Sequence, residues 1–422
     1  MSTLLLSTKN VARHLPLPAA RSLALCFAVS SSLLQAACSS DDSTALEGAV
    51  GEGPAFAILS SVDNPEGRTN YAGLVDPSGA DAQFDTTTAM EVAGSGRLYA
   101  PPSGGYFSVG DSESLVVTRY DLEGNQLAES GRLSFAGVGI TEFSNTMVFV
   151  SATKAYLLDA ANLQVVVWNP SEFVIEGTID LSELEREGFP RIVFPLFHFV
   201  LREGRVLASV GWQNEAGAFR KATGLLVLDT TRDAVAHIEE TDRCTGAQDI
   251  VMGPSGAAYF ASSVDPVVWD ESVRGGERLG CVLRVNAGEE SFDPDYRLLL
   301  SDATGGGVAY GLTATNDPSR PYIWTLDETQ VPWASSEPAE SFGGAAWGLW
   351  RLDLETGTAL ADDSVPLSGP TRGTLWFEAD ERSFLMRPAA DYRSSQLFEA
   401  TASGLELRLS SPGFIQGFAK VR

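Results

Sequence analysis

The chain has 422 residues, with 29 Lys and Arg against 55 Asp and Glu, a formal net charge of −26 and 44% hydrophobic residues. This acidity argues against DNA or RNA partners, because phosphate binding needs a basic patch. Three His and four Cys leave a thin stock for metal or nucleophilic chemistry.

The first 37 residues carry Lys9, Arg13 and Arg21 and no acidic residue, and continue into the apolar stretch Ser22 to Ala37. That stretch is short and Ser-rich for a membrane span. A positive start, an apolar middle and small residues at the end read as a secretory signal peptide. The segment LQAAC, ending at Cys38, resembles the lipobox of bacterial lipoproteins, so Cys38 is the expected lipidated first residue. Gln35 stands where that pattern has Leu, and Leu34 is one place early, which leaves ordinary cleavage nearby as the alternative. Position 39 is Ser rather than Asp, which favours the outer membrane. From residue 38 onward the formal charge is 26 − 55 = −29. The expected organisation is therefore a signal peptide (1–37), a lipidated disordered tether (38–53) and one domain (54–422).

That domain repeats a hairpin. In WGLWRLDLETGTAL (Trp347 to Leu360) apolar residues alternate up to an Asp, a polar Gly-containing turn follows, and a second apolar run begins. The same beat recurs at seven turns, marked by Asp76, Asp121, Asp159, Asp229, Asn286, Asp353 and Ala400, spaced by 45, 38, 70, 57, 67 and 47 residues. A second series places a turn and an apolar strand before each marker from the second onward: Gly94 to Ala100, Ser144 to Ser151, Arg202 to Val210, Gly253 to Ser262, Asp317 to Leu326 and Ala379 to Arg387. The second series is expected to join the first and second strands of a blade, and the marker turns the third and fourth. The fold class is all-β, a seven-bladed β-propeller. The first blade lacks an inner strand, and Gly413 to Arg422 supplies it, so the C-terminal strand closes the ring and removes open sheet edges. The longest spacing holds SELERE (Ser182 to Glu187), which fits a capping box on a short helix.

Cys26 leaves with the signal and Cys38 takes the lipid. Cys244 and Cys281 remain, and in an oxidising compartment they are expected to form a disulfide stapling the fifth blade. His198 reads as a packed or channel-facing residue and His237 as solvated. GPSGA around Ser255 departs from a nucleophile elbow at Ala257 and coincides with a repeat turn. Asp353-Leu-Glu-Thr-Gly resembles a quinoprotein dehydrogenase motif but lacks the Lys and Trp that follow it there. No catalytic residue, cofactor or metal site is assigned. A hydrolase or lactonase with a metal in the central channel is the alternative; it would need Glu91, Glu142, Asp249, Asn316 and Glu378 to converge on the axis.

Connections between second and third strands read as long in six blades and rich in aromatics and Arg, including Tyr106, Phe107, Phe219, Arg68, Lys221 and Arg393. The expected ligand-binding set on this loop face is Trp212, Arg220, Trp269, Arg274, Arg278, Trp333 and Tyr392. Its partner would be a small molecule or a protein. The competing reading is that long loops carry local aromatic plugs.

Two segments, Thr241 to Ser262 and Gly280 to Leu300, resemble a family of myxobacterial lipoproteins, some encoded beside genes for the catecholate siderophore myxochelin. The likeness covers the lipoprotein start, the blade hairpins and the cysteine pair. It implies an envelope protein at the outer membrane, concerned with siderophore or iron handling, and brings no catalytic motif. The expected role is thus a membrane-anchored binding or scaffold lipoprotein.

Overall fold

Seven separate, essentially antiparallel sheets follow one another along the chain in a computed structural model, all but the first and last built from consecutive strands alone. It describes residues 53–422 apart from 66, 94–96, 125, 142, 144–146, 196–198, 268–277, 334–344, 369–373 and 390. The expected signal peptide, Cys38 and most of the tether lie outside the described residues. The inner strands are Phe414–Lys420, Arg97–Tyr99, Met147–Ser151, Val200–Arg202, Ala247–Met252, Ala309–Thr313 and Leu375–Ala379. Each is followed outward by three strands, and the fourth blade gains an extra short strand, Arg191–Val193, beside Arg205–Gln213. This is the seven-bladed propeller that the repeats predict.

Burial explains why the second and third strands read as nearly continuous apolar runs. Each blade packs on two neighbours, so both of its faces need apolar side chains. In Lys154–Asp159 of the third blade, Tyr156 and Leu158 face the fourth blade while Ala155 and Leu157 face the second. A separate cluster of buried residues fills each of the seven blade interfaces, including the one between the last blade and the first. The core is a ring of seven small cores rather than one.

Closure occurs at both edges of the sheet. At the centre, Phe414–Lys420 pairs antiparallel with Phe56–Asn64, and Ile415 and Phe418 enter the cluster shared by blades seven and one. Gly413 makes the return from the outermost strand of blade seven to the axis. Its φ is +73°, and a Cβ there would lie 2.1 Å from the Ser61 carbonyl oxygen, so only glycine fits. At the periphery, Ala82–Gln83 leaves the first blade and pairs parallel with Leu409 and Ser410 of the last. This second latch was not expected; two residues are too few to show a periodicity.

Four of the marker turns share a mechanism. The carboxylates of Asp229 and Asp353 accept from the backbone N–H groups two and three residues on, and Asp76 accepts from that of Ser78. Asp159 makes the same turn, accepting from Asn162, but joins the second and third strands of its blade and lies at the opposite face. The third-to-fourth turn of that blade is capped by Asn169, which accepts from Ser171 and Glu172. The expected strand positions in blade three are therefore one place too far out. In blade two the strand after Gly94 is also the first rather than the second, because Tyr106–Asp111, expected as loop, is the second strand. In the long spacing, Ser182–Leu184 forms a single 3-10 turn capped by Asp180, not by Ser182.

Candidate functional site at the mouth of the central channel

The turns between first and second strands converge around the axis on one face. Ala100 to Gly104, Phe199 and Val200, Ile250 to Met252, Ala314 and Thr315, Glu378 to Ser383 and the chain end at Ala419 to Arg422 enclose a funnel of about 720 Å³. A narrower space of about 210 Å³ continues between the inner strands of blades one, two, three and seven, lined by Tyr99, Phe149 and Trp376. The two share Ala100, Glu378 and Ala419, so Glu378 stands at their junction.

The charges of the funnel are unevenly committed. Arg382 makes two bonds of 2.7 Å to Glu399, Lys420 pairs with Asp380, and Arg422 donates to the carbonyls of Gly53 and Gly124. Glu378 and Glu381 are exposed carboxylates with no cation paired to them among the described residues. One large apolar side chain of the funnel wall, Met252 of blade five, is left 37% exposed, beside the apolar residues Phe199 and Val200 of blade four. Above, the buried indole nitrogen of Trp376 has no hydrogen-bond acceptor among the described residues. The arrangement offers a funnel of mixed polar and apolar lining, an aromatic throat, two carboxylates without a paired cation, and cations already engaged.

The loop-face set of the sequence reading is not brought together. Trp212 lies in the strand Arg205–Gln213 and is fully buried, its indole N–H donating to the Leu184 carbonyl at 2.7 Å. Its ring lies against Gly224 on the adjacent strand, where a Cβ would come within 2.5 Å of it. Trp333 is buried in the core between blades six and seven, and Phe219 is buried as well, so the loops do carry aromatic plugs. Tyr106 and Phe107 are buried strand residues. Arg220 and Arg186 both bind Glu240, at 2.7 and 2.6 Å, and Arg278 binds Glu328 at 2.5 Å. Trp269 and Arg274 lie outside the described residues. Among the described aromatics of this set Tyr392 alone is exposed, at a turn with φ of +58°. The second-to-third connections are long in blades four, five and six (214–222, 263–280 and 327–346) and tight in the first three. The loop face was misread because strand ends at Tyr106 and Trp212 were assigned to loops.

The residues of the alternative metal site do not converge either. Glu91 is exposed on the outermost strand of blade one and Asn316 is exposed in a turn; Glu142, like His198, lies outside the described residues. Among the described residues no three His, Cys, Asp or Glu are grouped to hold a metal. Asp249 does sit on an inner strand, where it accepts the backbone N–H of Leu312 in blade six. A register shift at Gly311, with φ of +83°, opens that N–H to it. Burial pushes the Asp249 carboxyl up to about 7, and the Leu312 bond opposes the rise. A carboxyl raised on folding holds its proton better in the native state, so its stability contribution is complete below about pH 4 and lost as pH rises towards 7. Asp249→Asn is thus expected to stabilise the protein by roughly 1–3 kcal/mol at pH 8 and by nothing below pH 4; urea melts at the two pH values check this. An equal effect at both would show that the carboxyl does not titrate.

No protein-family model and no curated protein sequence matches the chain. Among solved structures it is similar to a putative 6-phosphogluconolactonase from Bacteroides uniformis, at 10% identity over 87% of this chain and 99% of that one, with a TM-score of 0.51. A second, from Bacteroides fragilis, has 10% identity over 87% and 98%, with a TM-score of 0.50. Apo AztD from Citrobacter koseri has 13% identity over 88% and 98%, with a TM-score of 0.48. At such identities the likeness to the two Bacteroides proteins establishes the propeller fold alone.

Proposed function

We propose that the chain is an exported lipoprotein, anchored through Cys38 to the cell envelope, that binds a small molecule in the funnel and the channel above it. The observation that carries the binding reading is the funnel of about 720 Å³, with mixed polar and apolar walls and an aromatic throat, a size suited to a small organic ligand. The anchor reading rests on the sequence around Cys38, and Cys38→Ala should move the protein from the membrane to the soluble fraction; continued membrane retention would contradict it.

The charge pattern selects among ligands. With its cations engaged and Glu378 and Glu381 free, the funnel favours neutral or cationic molecules that donate hydrogen bonds. A catecholate siderophore, the ligand class implied by the resemblance, meets this in its iron-free form, whose rings and hydroxyls suit the walls and carboxylates. Its anionic ferric complex does not. Titration of the protein with iron-free and ferric catecholates, followed by quenching of tryptophan fluorescence, to which Trp376 of the throat contributes, tests the reading. Iron-free ligand should quench saturably, and Met252→Glu should weaken it about tenfold, as expected for loss of one apolar anchor. Quenching no greater than the correction for ligand absorbance would remove the siderophore. Equal binding by Met252→Glu would remove the funnel.

A further inference from the structure

Most described Arg residues of this acidic chain meet a carboxylate. Arg387 does not. It lies on the strand Arg382–Pro388 of blade seven, in the row Ser383, Leu385, Arg387 that faces blade six. Leu385 is in the core between the two blades, and Arg387 is one step further along, where that core opens to the surface. The opening is a groove of about 400 Å³ walled by Pro366, Pro388, Phe398 and Leu405. The described partners of the guanidinium are the Leu367 carbonyl at 3.4 Å and the Phe398 ring at 6.0 Å; among the described residues no carboxylate pairs with it. Gln396, its cross-strand neighbour, and Ser394 also line the groove, and their side chains have no hydrogen-bond partner among the described residues.

We propose that this groove between blades six and seven is a second binding site, which takes an organic carboxylate with an apolar or aromatic body. A half-buried cation without a counter-ion is costly, and an anion that supplies two oxygens to the guanidinium fork removes the cost. Burial alone pushes the Arg387 guanidinium below its usual range, with no neighbouring acid to offset it, which agrees with this geometry. The proline, leucine and phenylalanine walls suit an apolar body next to the carboxylate, and Ser394 and Gln396 can bond the oxygens the fork leaves. This site is independent of the funnel, which has the opposite charge preference.

The test uses the full mature protein, with phenylacetate as probe, phenethylammonium as its cationic counterpart and sulfate as a body-less anion, read by thermal shift and calorimetry. Phenylacetate is expected to bind saturably and raise the melting temperature, while the other two leave it unchanged. Arg387→Met should melt at or above the parent temperature without ligand, because an apolar side chain of similar length replaces an uncompensated charge. It should also lose the response to phenylacetate. Arg387→Lys should keep the response but bind about tenfold more weakly, having no fork. Absence of binding to the parent, an undiminished response in Arg387→Met, or a sulfate effect equal to that of phenylacetate would each overturn the proposal. So would a marked fall in the melting temperature of Arg387→Met without ligand, since it would show that the charge is already satisfied within the protein.

Discussion

Deletion of residues 413–422 is expected to abolish cooperative folding. The strand Phe414–Lys420 is the inner strand of blade one and the surface on which blades seven and two both pack. Its removal takes away Ile415, Phe418 and Val421, all buried, at about 1.5–3 kcal/mol each. The sum is comparable to the whole stability of a typical domain, about 5–15 kcal/mol. It also leaves the edge of Phe56–Asn64 without a partner, an invitation to aggregation. The peripheral latch at Ala82–Gln83 is too short to hold the ring alone. Calorimetry and size exclusion check the outcome: a truncated chain that stays monomeric and melts within a few degrees of the parent would show that the ring does not depend on this strand. A point variant asks the same of the seam, since a Cβ at Gly417 would meet Leu98 of blade two at 2.3 Å.

The next largest effect belongs to the disulfide. Cys244 and Cys281 are bonded, 37 residues apart, with both side chains buried in the core between blades four and five. The bond ties the first residue of the third strand to the segment entering the first strand, across Ser262 of the second, whose hydroxyl accepts the Cys281 N–H at 3.3 Å. It matters because the second-to-third connection of this blade, 263–280, is long. Other blades, such as the second, hold these strands together with a tight turn. A closed loop of 37 residues corresponds to about 3–4 kcal/mol of chain entropy. Replacing both cysteines by Ala should therefore lower stability by about that amount in urea melts, with the fold kept. A loss below about 0.5 kcal/mol, the ordinary scatter of surface substitutions, would mean that packing alone holds the strand.

The architecture was legible because its signals are local and repeated. An Asp that caps its own turn, followed by apolar alternation, is written into four of the seven hairpins, at Asp76, Asp159, Asp229 and Asp353, and the missing inner strand of blade one pointed to the chain end. The slip in blade three has the same origin. Asp159 and Asn169 cap turns of the same kind, and nothing within ten residues says which of the two faces a turn lies on. The candidate site was less legible. A funnel assembled from short turns of several blades has no contiguous motif, and Glu378, weighed as a metal ligand, acts at its junction as a lone carboxylate. The cations chosen from the loops, Arg220 and Arg278, are paired with Glu240 and Glu328 from distant segments. Arg387, which has no carboxylate partner among the described residues, sits in a strand rather than a loop and was not among the cations chosen.

The central claim, that a ligand enters at the first-to-second-turn face, is tested most directly by hydrogen exchange of the mature protein with and without iron-free catecholate siderophore. The account predicts slowed exchange in peptides covering 99–105, 250–253, 378–383 and 419–422, which together frame the funnel. Protection confined to the described connections 214–222, 263–267, 278–280 and 327–333, with the funnel peptides unchanged, would place binding on the opposite face and contradict it.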